Sequence, residues 1–277
     1  MSARATRTAA RTAARATARG GSFAAIAAVF RHQLRRTRQA WTSSLAAGLA
    51  NPTLTLFALG LGLGSQIDDV EIAQLGVDSY LNYIGPGLLM VSAMQISTNE
   101  AMWPTMGLLR WQGVYRAVLA SPITSSELGV GHTLWIAFRG MVSATCFLVV
   151  LAIAGALGSW FALLIPFVAL LFALAHAAPL IAFTVGLEQE NVFPMISRIV
   201  LFPLFLFSGA FFPVEEMPGA VAVFARLVPT WHGVELGRHL AIGSLGAIDG
   251  LHFSYLAVCG AAGLLLVRRQ FRKHLEL

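Results

Sequence analysis

Long uncharged runs of mostly apolar residues, separated by short charged segments, dominate this chain. A membrane-spanning helix needs about 20 apolar residues in succession, and several of the runs reach that length. The uncharged stretch 140–187 is too long for one helix, and the turn signal at 155–160 divides it into two. The pattern predicts an all-α polytopic membrane protein with six transmembrane helices, at about 43–66, 79–100, 131–155, 160–187, 195–213 and 248–267.

A different periodicity precedes the first run. Apolar residues recur at spacings of three and four, while arginines including Arg35 occupy most of the other face. This spacing predicts an N-terminal amphipathic interfacial helix over 23–41 that lies along the membrane surface. The apolar face consists of Phe23, Ile26, Phe30, Leu34, Thr37 and Trp41.

Residues 1–22 form a basic extension ahead of this helix. Arginines recur every three to four positions among alanines and threonines, with no acidic residue. Such a leader is typical of an organelle transit peptide or of a solvated extension that lies on anionic lipid headgroups. The preference for arginine over lysine throughout the chain favours the second interpretation.

The segment between the fifth and sixth runs is too polar to span a membrane and too apolar to leave it. Phe211, Phe212 and Pro213 end the fifth run, and an amphipathic stretch extends to Gly243. This pattern predicts a re-entrant hairpin over 211–243, here called the outer hairpin. Residues 271–277 are predicted to be a cytoplasmic tail.

Composition and charge exclude other classes of protein. Of the 277 residues, 57% are hydrophobic and 12% are charged, and the mean hydropathy is +0.71. A soluble domain of this composition would expose large apolar patches, so an ordinary soluble enzyme, a disordered chain and a fibre are excluded. Basic residues concentrate in the leader, the loop after the second run and the C-terminal end. The positive-inside rule therefore places both termini on the cytoplasmic side of the membrane, which we expect to be a bacterial plasma membrane.

Motifs for catalysis are absent from the sequence. The only lysine, Lys273, is not part of a GxxxxGK[ST] motif, so the chain lacks the phosphate-binding loop that ATP hydrolysis requires. Neither HExxH nor GxSxG occurs, and no catalytic residue is predicted. His232, Glu235 and His239 would share one helix face, a donor set that suits iron or zinc. An amphipathic helix at the outer interface explains them better, and no metal is predicted.

Ionisable residues within the predicted spans are functional candidates because burying charge in a membrane is costly. Glu100 and Arg139 lie near the cytoplasmic ends of their spans, where interfacial water is within reach. His176 lies deeper in the fourth span, and a packed, hydrogen-bonded histidine is favoured there over a substrate contact.

Three stretches of the chain resemble the permease subunits of ABC-2-type exporters. They are the glycine run 60–64, Glu100 together with 109–112 and 120–123, and the pair 207–213 and 229–238. Within that family the chain is most similar to permeases of nodulation-factor (lipo-oligosaccharide) exporters, and more distantly to drug-exporter permeases of the daunorubicin-resistance type. The resemblance covers about residues 23–270.

The resemblance implies a permease that works as a dimer, with itself or with a sister permease. Two separately encoded ABC ATPase subunits would bind on the cytoplasmic side. ATP and Mg would be bound by these subunits, so no cofactor belongs to this chain. The lipid bilayer is a further partner, and nucleic acid is not. The implied cargo is amphiphilic: a lipid-linked or lipo-oligosaccharide, a glycolipid or a hydrophobic drug.

The resemblance also assigns roles to individual residues. Residues 100–126, here called the coupling segment, would form the coupling helix that sits on the ATPase through Glu100, Leu109, Arg110, Gln112, Tyr115 and Pro122. The interfacial helix would be a second transmitting element through Phe30, Leu34, Arg35 and Trp41. The outer gate would comprise Phe211, Phe212, Pro213, Trp231, His232 and Glu235.

Two other function classes stay open on the sequence alone. A gradient-driven secondary transporter would couple through buried carboxylates, yet no acid lies near the middle of a predicted span and no inverted repeat is visible. A membrane-embedded metal enzyme would require His232, Glu235 and His239 to bind the metal.

Overall fold

The computed structural model describes residues 22–37, 53–58, 62, 77 and 79–276, and all regular secondary structure in these ranges is helical. The prediction of an all-α protein is confirmed for this part of the chain. The leader, Trp41 and most of the first predicted span lie outside the described residues, as does the glycine run apart from Gly62. The α-helices are α1 (Ser22–Thr37), α2 (Tyr80–Met106), α3 (Val114–Leu119), α4 (Ser125–Ile153), α5 (Ile165–Val185), α6 (Phe193–Ile196), α7 (Phe202–Leu206), α8 (Gly219–Leu227), α9 (Pro229–Ile242) and α10 (Ala247–Leu275).

Helix α5 is the centre of the bundle and packs against α2, α4, α9 and α10. Small residues on its surface let these neighbours approach closely. A Cβ added at Gly140 of α4 would lie 2.7 Å from the Cβ of Ala173, and one added at Gly263 of α10 would lie 2.7 Å from that of Ala178. Close backbone approach of this kind is typical of helices that pack in membranes.

Three helical segments of the described chain are long and apolar enough to cross a membrane. They are Ser125–Ile153, Trp160–Val185, which begins with a 3₁₀ turn, and Ala247–Leu275. Helix α2 has 27 residues, so it is about 40 Å long at 1.5 Å per residue, but it carries more polar residues. The buried hydroxyls of Ser92, Ser97 and Thr98 donate to carbonyls of their own helix, so they need no other partner.

The fifth predicted span, 195–213, differs from a regular helix. It is divided into α6, a π turn at Ser197–Leu201 and α7, and the chain then bends over residues 207–213. Pro203, which has no N–H to donate, lies at the start of α7, directly after the π turn. Gly209 adopts φ +79°, a left-handed conformation that stops helix propagation. We call residues 207–213 the arch.

Helix α1 covers most of the predicted interfacial helix, and its buried face keeps Ile26 and Phe30 but is rotated from the predicted apolar face toward Val29 and Gln33. Phe23 is 85% exposed and Leu34 is 47% exposed, whereas Val29 and Gln33 are buried against α4. The close partner of Val29 is Gly131, where an added Cβ would lie 2.8 Å from the Val29 Cβ. The helix is therefore turned so that one polar residue, Gln33, faces the bundle.

The outer hairpin and the predicted tail also contain helices. The outer hairpin contains α8 and α9, and α9 packs against α2, α5 and α10. The predicted tail 271–277 differs from expectation, because α10 extends to Leu275. Phe271 is fully buried and lies where a Cβ on Gly129 would meet its ring at 2.7 Å. The contact of Phe271 with α4 thus accompanies an extension of α10 beyond the sixth apolar run.

We expect Gly87→Ala to destabilise the protein by about 1–3 kcal/mol, the usual range for overpacking. The new Cβ would lie 2.8 Å from the Cα of Ala210 in the arch, and backbone atoms cannot move away as a side chain can. Thermal unfolding in detergent measures the effect.

Gly250→Ala is the matched control, because Gly250 also lies inside a helix but has open space around it. Its higher helix propensity should stabilise by up to about 1 kcal/mol. Equal melting temperatures for the Gly87 variant and the wild-type protein would contradict the close contact between α2 and the arch.

Candidate functional site

The residues assigned to coupling and to the outer gate lie near opposite ends of α2. Tyr80 and Tyr83, in its first turn, contact the arch, and Glu100 and Thr105, near its last turn, belong to the coupling segment. One helix therefore connects the two candidate sites.

The coupling segment is not one helix. Its first residues end α2, a π turn follows at Gly107–Trp111, and Gly113 at φ +64° starts the short helix α3. The left-handed glycine reverses the chain without strain, and α3 then packs its one fully buried side chain, Tyr115, into the bundle. The predicted single coupling helix is thus a helix–turn–helix.

The predicted coupling residues are divided between buried and surface positions. Leu109 and Tyr115 are buried, and burial raises the pKa of Tyr115, so its hydroxyl stays neutral. Arg110 donates through Nη2 to the carbonyl of Leu187 at 2.9 Å. Gln112 accepts from Arg36 of α1 at 3.4 Å, and Pro122 is exposed.

Glu100 lies one to two turns before the end of α2 and pairs with Arg139 of α4. The distance between Oε1 and Nη1 is 2.5 Å, and the side chains are only 17% and 20% exposed. The structure thus places Glu100 in an ion pair between two bundle helices rather than on the surface of the coupling segment. Neither side chain depends on interfacial water for a polar partner.

A buried chain of hydrogen bonds joins α1, α4 and α2, and sequence analysis missed it. The amide nitrogen of Gln33 is 3.0 Å from His132 Nδ1, and His132 Nε2 is 3.0 Å from Thr105 Oγ1. Thr105 in turn donates to the carbonyl of Glu100 at 2.9 Å. Polar residues on otherwise apolar helix faces were the available signal, but their spacing along the sequence does not show that they meet.

At the other end of α2, side chains of α2 and α9 fix the arch by donating hydrogen bonds to its backbone carbonyls. Gly209 O accepts from Arg238 Nη2 at 2.6 Å and from Tyr83 Oη at 3.4 Å. Phe211 O accepts from Tyr80 Oη at 3.1 Å. Because the bend leaves these carbonyls outside a helix, side chains from α2 and α9 satisfy them instead.

Arg238 is the most buried charged group of this site and was not among the predicted gate residues. Its side chain is 5% exposed, its Nη1 lies 2.6 Å from Glu235 Oε1, and its guanidinium carbon lies 3.9 Å from the centroid of the Tyr83 ring. An ion pair, a cation–π contact and two backbone carbonyls therefore hold one guanidinium. Its fork of donors matches this set of acceptors, as the single ammonium of a lysine would not.

Of the predicted gate residues, Glu235 pairs with this guanidinium, and the others have separate contacts. Phe211 packs edge-on against Phe205 at 5.0 Å, while Phe212 is 39% exposed, and Pro213 leads into the 3₁₀ turn Val214–Glu216. Trp231 lies close to Gly209, 3.2 Å from where a Cβ would be. Tight packing at the arch therefore involves both aromatic and glycine positions.

The histidines of α9 have separate partners, which bears on the metal hypothesis. His232 Nδ1 is 2.8 Å from His252 Nδ1, and His239 Nδ1 is 2.7 Å from Asp249 Oδ1. Glu235 is engaged by Arg238. In the described part of the chain, no group of three or more His, Cys, Asp and Glu side chains is arranged to hold a metal ion.

His176 is a packed histidine, as favoured from the sequence. Nδ1 lies 2.8 Å from the carbonyl of Phe172 and Nε2 lies 2.9 Å from Thr230 Oγ1, so it links α5 to α9. It does not touch the coupling segment or the arch through these bonds.

A cavity of about 410 Å³ lies between α2 and residues 197–205. Its described walls carry no charged side chain. The polar lining residues are Thr55, Ser92, Gln95, Thr98, Asn99 and Ser197, and the others are apolar. A pocket of this size and chemistry suits an uncharged or amphiphilic group.

Comparison with known proteins gives one family and a consistent set of relatives. The family model described as ABC-2 type transporter matches residues 24–241. The chain is 30% identical over 250 residues to Nodulation protein J of Rhizobium meliloti (strain 1021), covering 90% of this chain and 93% of that protein. It is 29% identical over 250 residues to Nodulation protein J of Rhizobium leguminosarum bv. viciae, covering 90% and 94%. It is 27% identical over 249 residues to that of Bradyrhizobium diazoefficiens, covering 88% and 92%.

We expect Arg238→Met to destabilise the protein by about 3–5 kcal/mol, because it leaves the mostly buried Glu235 carboxylate without its partner. The double variant Glu235→Gln with Arg238→Met should recover part of that loss. Thermal unfolding of the purified protein in detergent measures both.

The control is Arg226→Met, which breaks an ion pair with Glu215 whose side chains are 49% and 65% exposed. An exposed pair contributes about 0–1 kcal/mol, so this variant should unfold close to the wild-type temperature. If the Arg226 and Arg238 variants unfolded alike, the buried guanidinium would not be what holds the arch.

Proposed function

Because this chain belongs to the ABC-2 type transporter family, whose members are membrane subunits of transporters and not themselves catalytic, we propose that it is the permease of an ATP-driven exporter. The permease moves an amphiphilic cargo out across the bacterial plasma membrane, and a separate ABC ATPase supplies the energy. The observation that carries this function is the family match over residues 24–241, together with relatives that align along nearly their whole length.

The ATPase binds at the coupling segment. Its surface is formed by the end of the π turn, by α3 and by the loop to α4, where the exposed residues include Trp111, Gln112, Arg116 and Pro122. Beneath this surface, Tyr115 and Leu109 are buried in the bundle. A partner that pushes on α3 therefore acts on the helices behind it and not on a free loop.

The topology is six transmembrane helices with both termini in the cytoplasm. Three described helices are apolar and long enough to span the bilayer, and α2 has the length to do so. Arginine-rich segments on one side fit the positive-inside rule. Two permease chains and two ATPase subunits form the complex, in which ATP-driven closure of the ATPases moves the coupling segments.

The arch and the outer hairpin form the outer gate. Two tyrosine hydroxyls and the buried guanidinium of Arg238 donate hydrogen bonds to the carbonyls of the arch and fix it to α2 and α9. Because the last residues of α2 belong to the coupling segment, a tilt of this helix displaces both the arch and the coupling segment. Opening then requires α2 to carry the arch with it or to release its carbonyls.

The cargo passes along the uncharged cavity between α2 and residues 197–205. Amide and hydroxyl groups from α2 line one side, and apolar side chains such as Phe202 and Phe205 line the other. This combination supports a cargo with a polar, uncharged part and an apolar part. A lipid-linked or lipo-oligosaccharide, a glycolipid or a hydrophobic drug meets that description.

Purification of the tagged chain from its native host in mild detergent tests this function. We expect a P-loop ATPase to co-purify in stoichiometric amount, and the complex in proteoliposomes to hydrolyse ATP. A chain that purifies alone under conditions that preserve other ABC complexes, and whose transport follows a proton gradient, would favour the secondary-transporter hypothesis. Metal analysis of the same sample tests the enzyme hypothesis.

We expect Arg116→Glu to reduce ATPase-coupled transport about tenfold, since losing one favourable charged contact at an interface and adding a repulsive one costs about 1–2 kcal/mol. Arg116 is exposed on α3, so the fold should be unaffected. Transport by the reconstituted complex and co-purification of the ATPase are the measurements.

Arg268→Glu serves as the control, because it makes the same change of charge at an exposed position of α10 that lies two turns before the end of this helix. It should leave transport near the wild-type level. Equal losses in both variants would mean that net charge, and not a contact at α3, determines the binding of the ATPase.

A further inference from the structure

His132 lies where three elements of the proposed coupling machinery meet. Its two ring nitrogens contact α1 and α2 through Gln33 and Thr105, each at 3.0 Å. Its ring packs edge-on against Tyr115 of α3, with 5.5 Å between the ring centroids. All four side chains are almost completely buried.

The hydrogen bonds of this group run in one direction. The amide nitrogen of Gln33 can only donate, so His132 Nδ1 accepts and the ring proton of the neutral imidazole lies on Nε2. Nε2 then donates to Thr105 Oγ1, and the Thr105 hydroxyl donates to the carbonyl of Glu100. Both ring nitrogens of His132 and the hydroxyl of Thr105 are therefore hydrogen bonded, which favours a single fixed geometry.

The backbone beside His132 holds the same elements together. An added Cβ on Gly131 would lie 2.8 Å from the Val29 Cβ and 3.0 Å from the carbonyl oxygen of Ile26, so α1 and α4 are in close contact one residue away. The other bond between α1 and the coupling segment, from Arg36 to Gln112 at 3.4 Å, is exposed. Water competes with an exposed bond, whereas the His132 chain is protected from it.

We propose that His132 is a positioning residue that makes α1, α3 and the end of α2 move as one unit. Motion of α3 presses Tyr115 against the imidazole, and the two ring nitrogens transfer that motion to α1 and α2. The consequence for transport rests on the proposed function, but the positional role does not. His132 touches neither ATP nor cargo in this scheme.

The structure provides a matched control in His176. It is buried to a similar degree, and its two ring nitrogens are also both hydrogen bonded, but it joins α5 to α9 away from the coupling segment. His132→Phe and His176→Phe each keep a ring and lose two hydrogen bonds. A purely structural role predicts the same behaviour for both variants.

The first experiment measures position and needs neither ATPase nor cargo. Spin labels are attached at Arg35→Cys on α1 and Arg116→Cys on α3, with Cys146→Ala and Cys259→Ala removing the native thiols, and the full chain is reconstituted in lipid nanodiscs. We expect a narrow distribution of label distances in the parent and in His176→Phe, and a broader one in His132→Phe. An unchanged distribution in His132→Phe, or equal broadening in His176→Phe, overturns the proposal.

The second experiment uses the complex with its co-purifying ATPase in proteoliposomes. We expect the amount of a fluorescent short-chain glycolipid transported per ATP hydrolysed to fall about fivefold or more in His132→Phe, the lower range of energetic coupling between sites, and to stay at the parent value in His176→Phe. Equal ratios in the two variants overturn the proposal. Absence of ATP-dependent transport by the wild-type complex instead overturns the proposed function, while the distance measurement still tests His132.

A second pair of variants protects the test if His132→Phe does not fold. Thr105→Val removes the acceptor for Nε2 without a large change of shape, and Thr105→Ser retains it. The valine variant should broaden the distance distribution and lower the transport ratio, and the serine variant should restore both. Identical results for valine and serine overturn the proposal.

Discussion

Hydrogen bonding in surroundings without water is the constraint on which this structure depends. Burying a polar group away from water is costly unless the group finds a partner within the protein, and α2 shows how such partners are found. Along its middle, serine and threonine hydroxyls bond to carbonyls of the same helix. At its ends that solution is replaced by bonds to other elements, through Tyr80 and Tyr83 to the arch and through Thr105 to His132. The places where α2 is bonded outward are the two candidate sites.

Packing of small residues complements this arrangement. Gly140 and Gly263 bring α4 and α10 onto the alanines of α5, so the helix backbones pack closely at the centre of the bundle. The polar contacts lie around it, where α1, α3, the arch and α9 meet the helices. A rigid centre with bonded ends favours motion of whole helices, since packed interiors transmit displacement and do not absorb it.

The sequence predicts the helical class, the interfacial helix and the family, because each depends on local patterns such as run length, spacing and motif. It does not predict which distant polar residues meet: Gln33 and His132 are 99 positions apart and Arg238 and Gly209 are 29 apart. The burial of Gln33 in α1 is not predicted for a related reason, since this side chain is polar and its burial depends on a partner in α4. The break in the fifth run was underestimated, although Pro203 and Gly209 were visible signals. The roles of Glu100, Leu109 and the gate aromatics stay predictions.

The position of the last turn of α10 has a practical consequence for the placement of affinity tags. Ser125, at the start of α4, donates to the Glu276 carboxylate at 2.7 Å, and Phe271 packs beside Tyr115 with 5.8 Å between ring centroids. The last turn of α10 is therefore part of the wall behind α3. An affinity tag placed close behind Glu276 would stand next to the surface proposed for the ATPase, and a long flexible spacer would keep the tag from competing there.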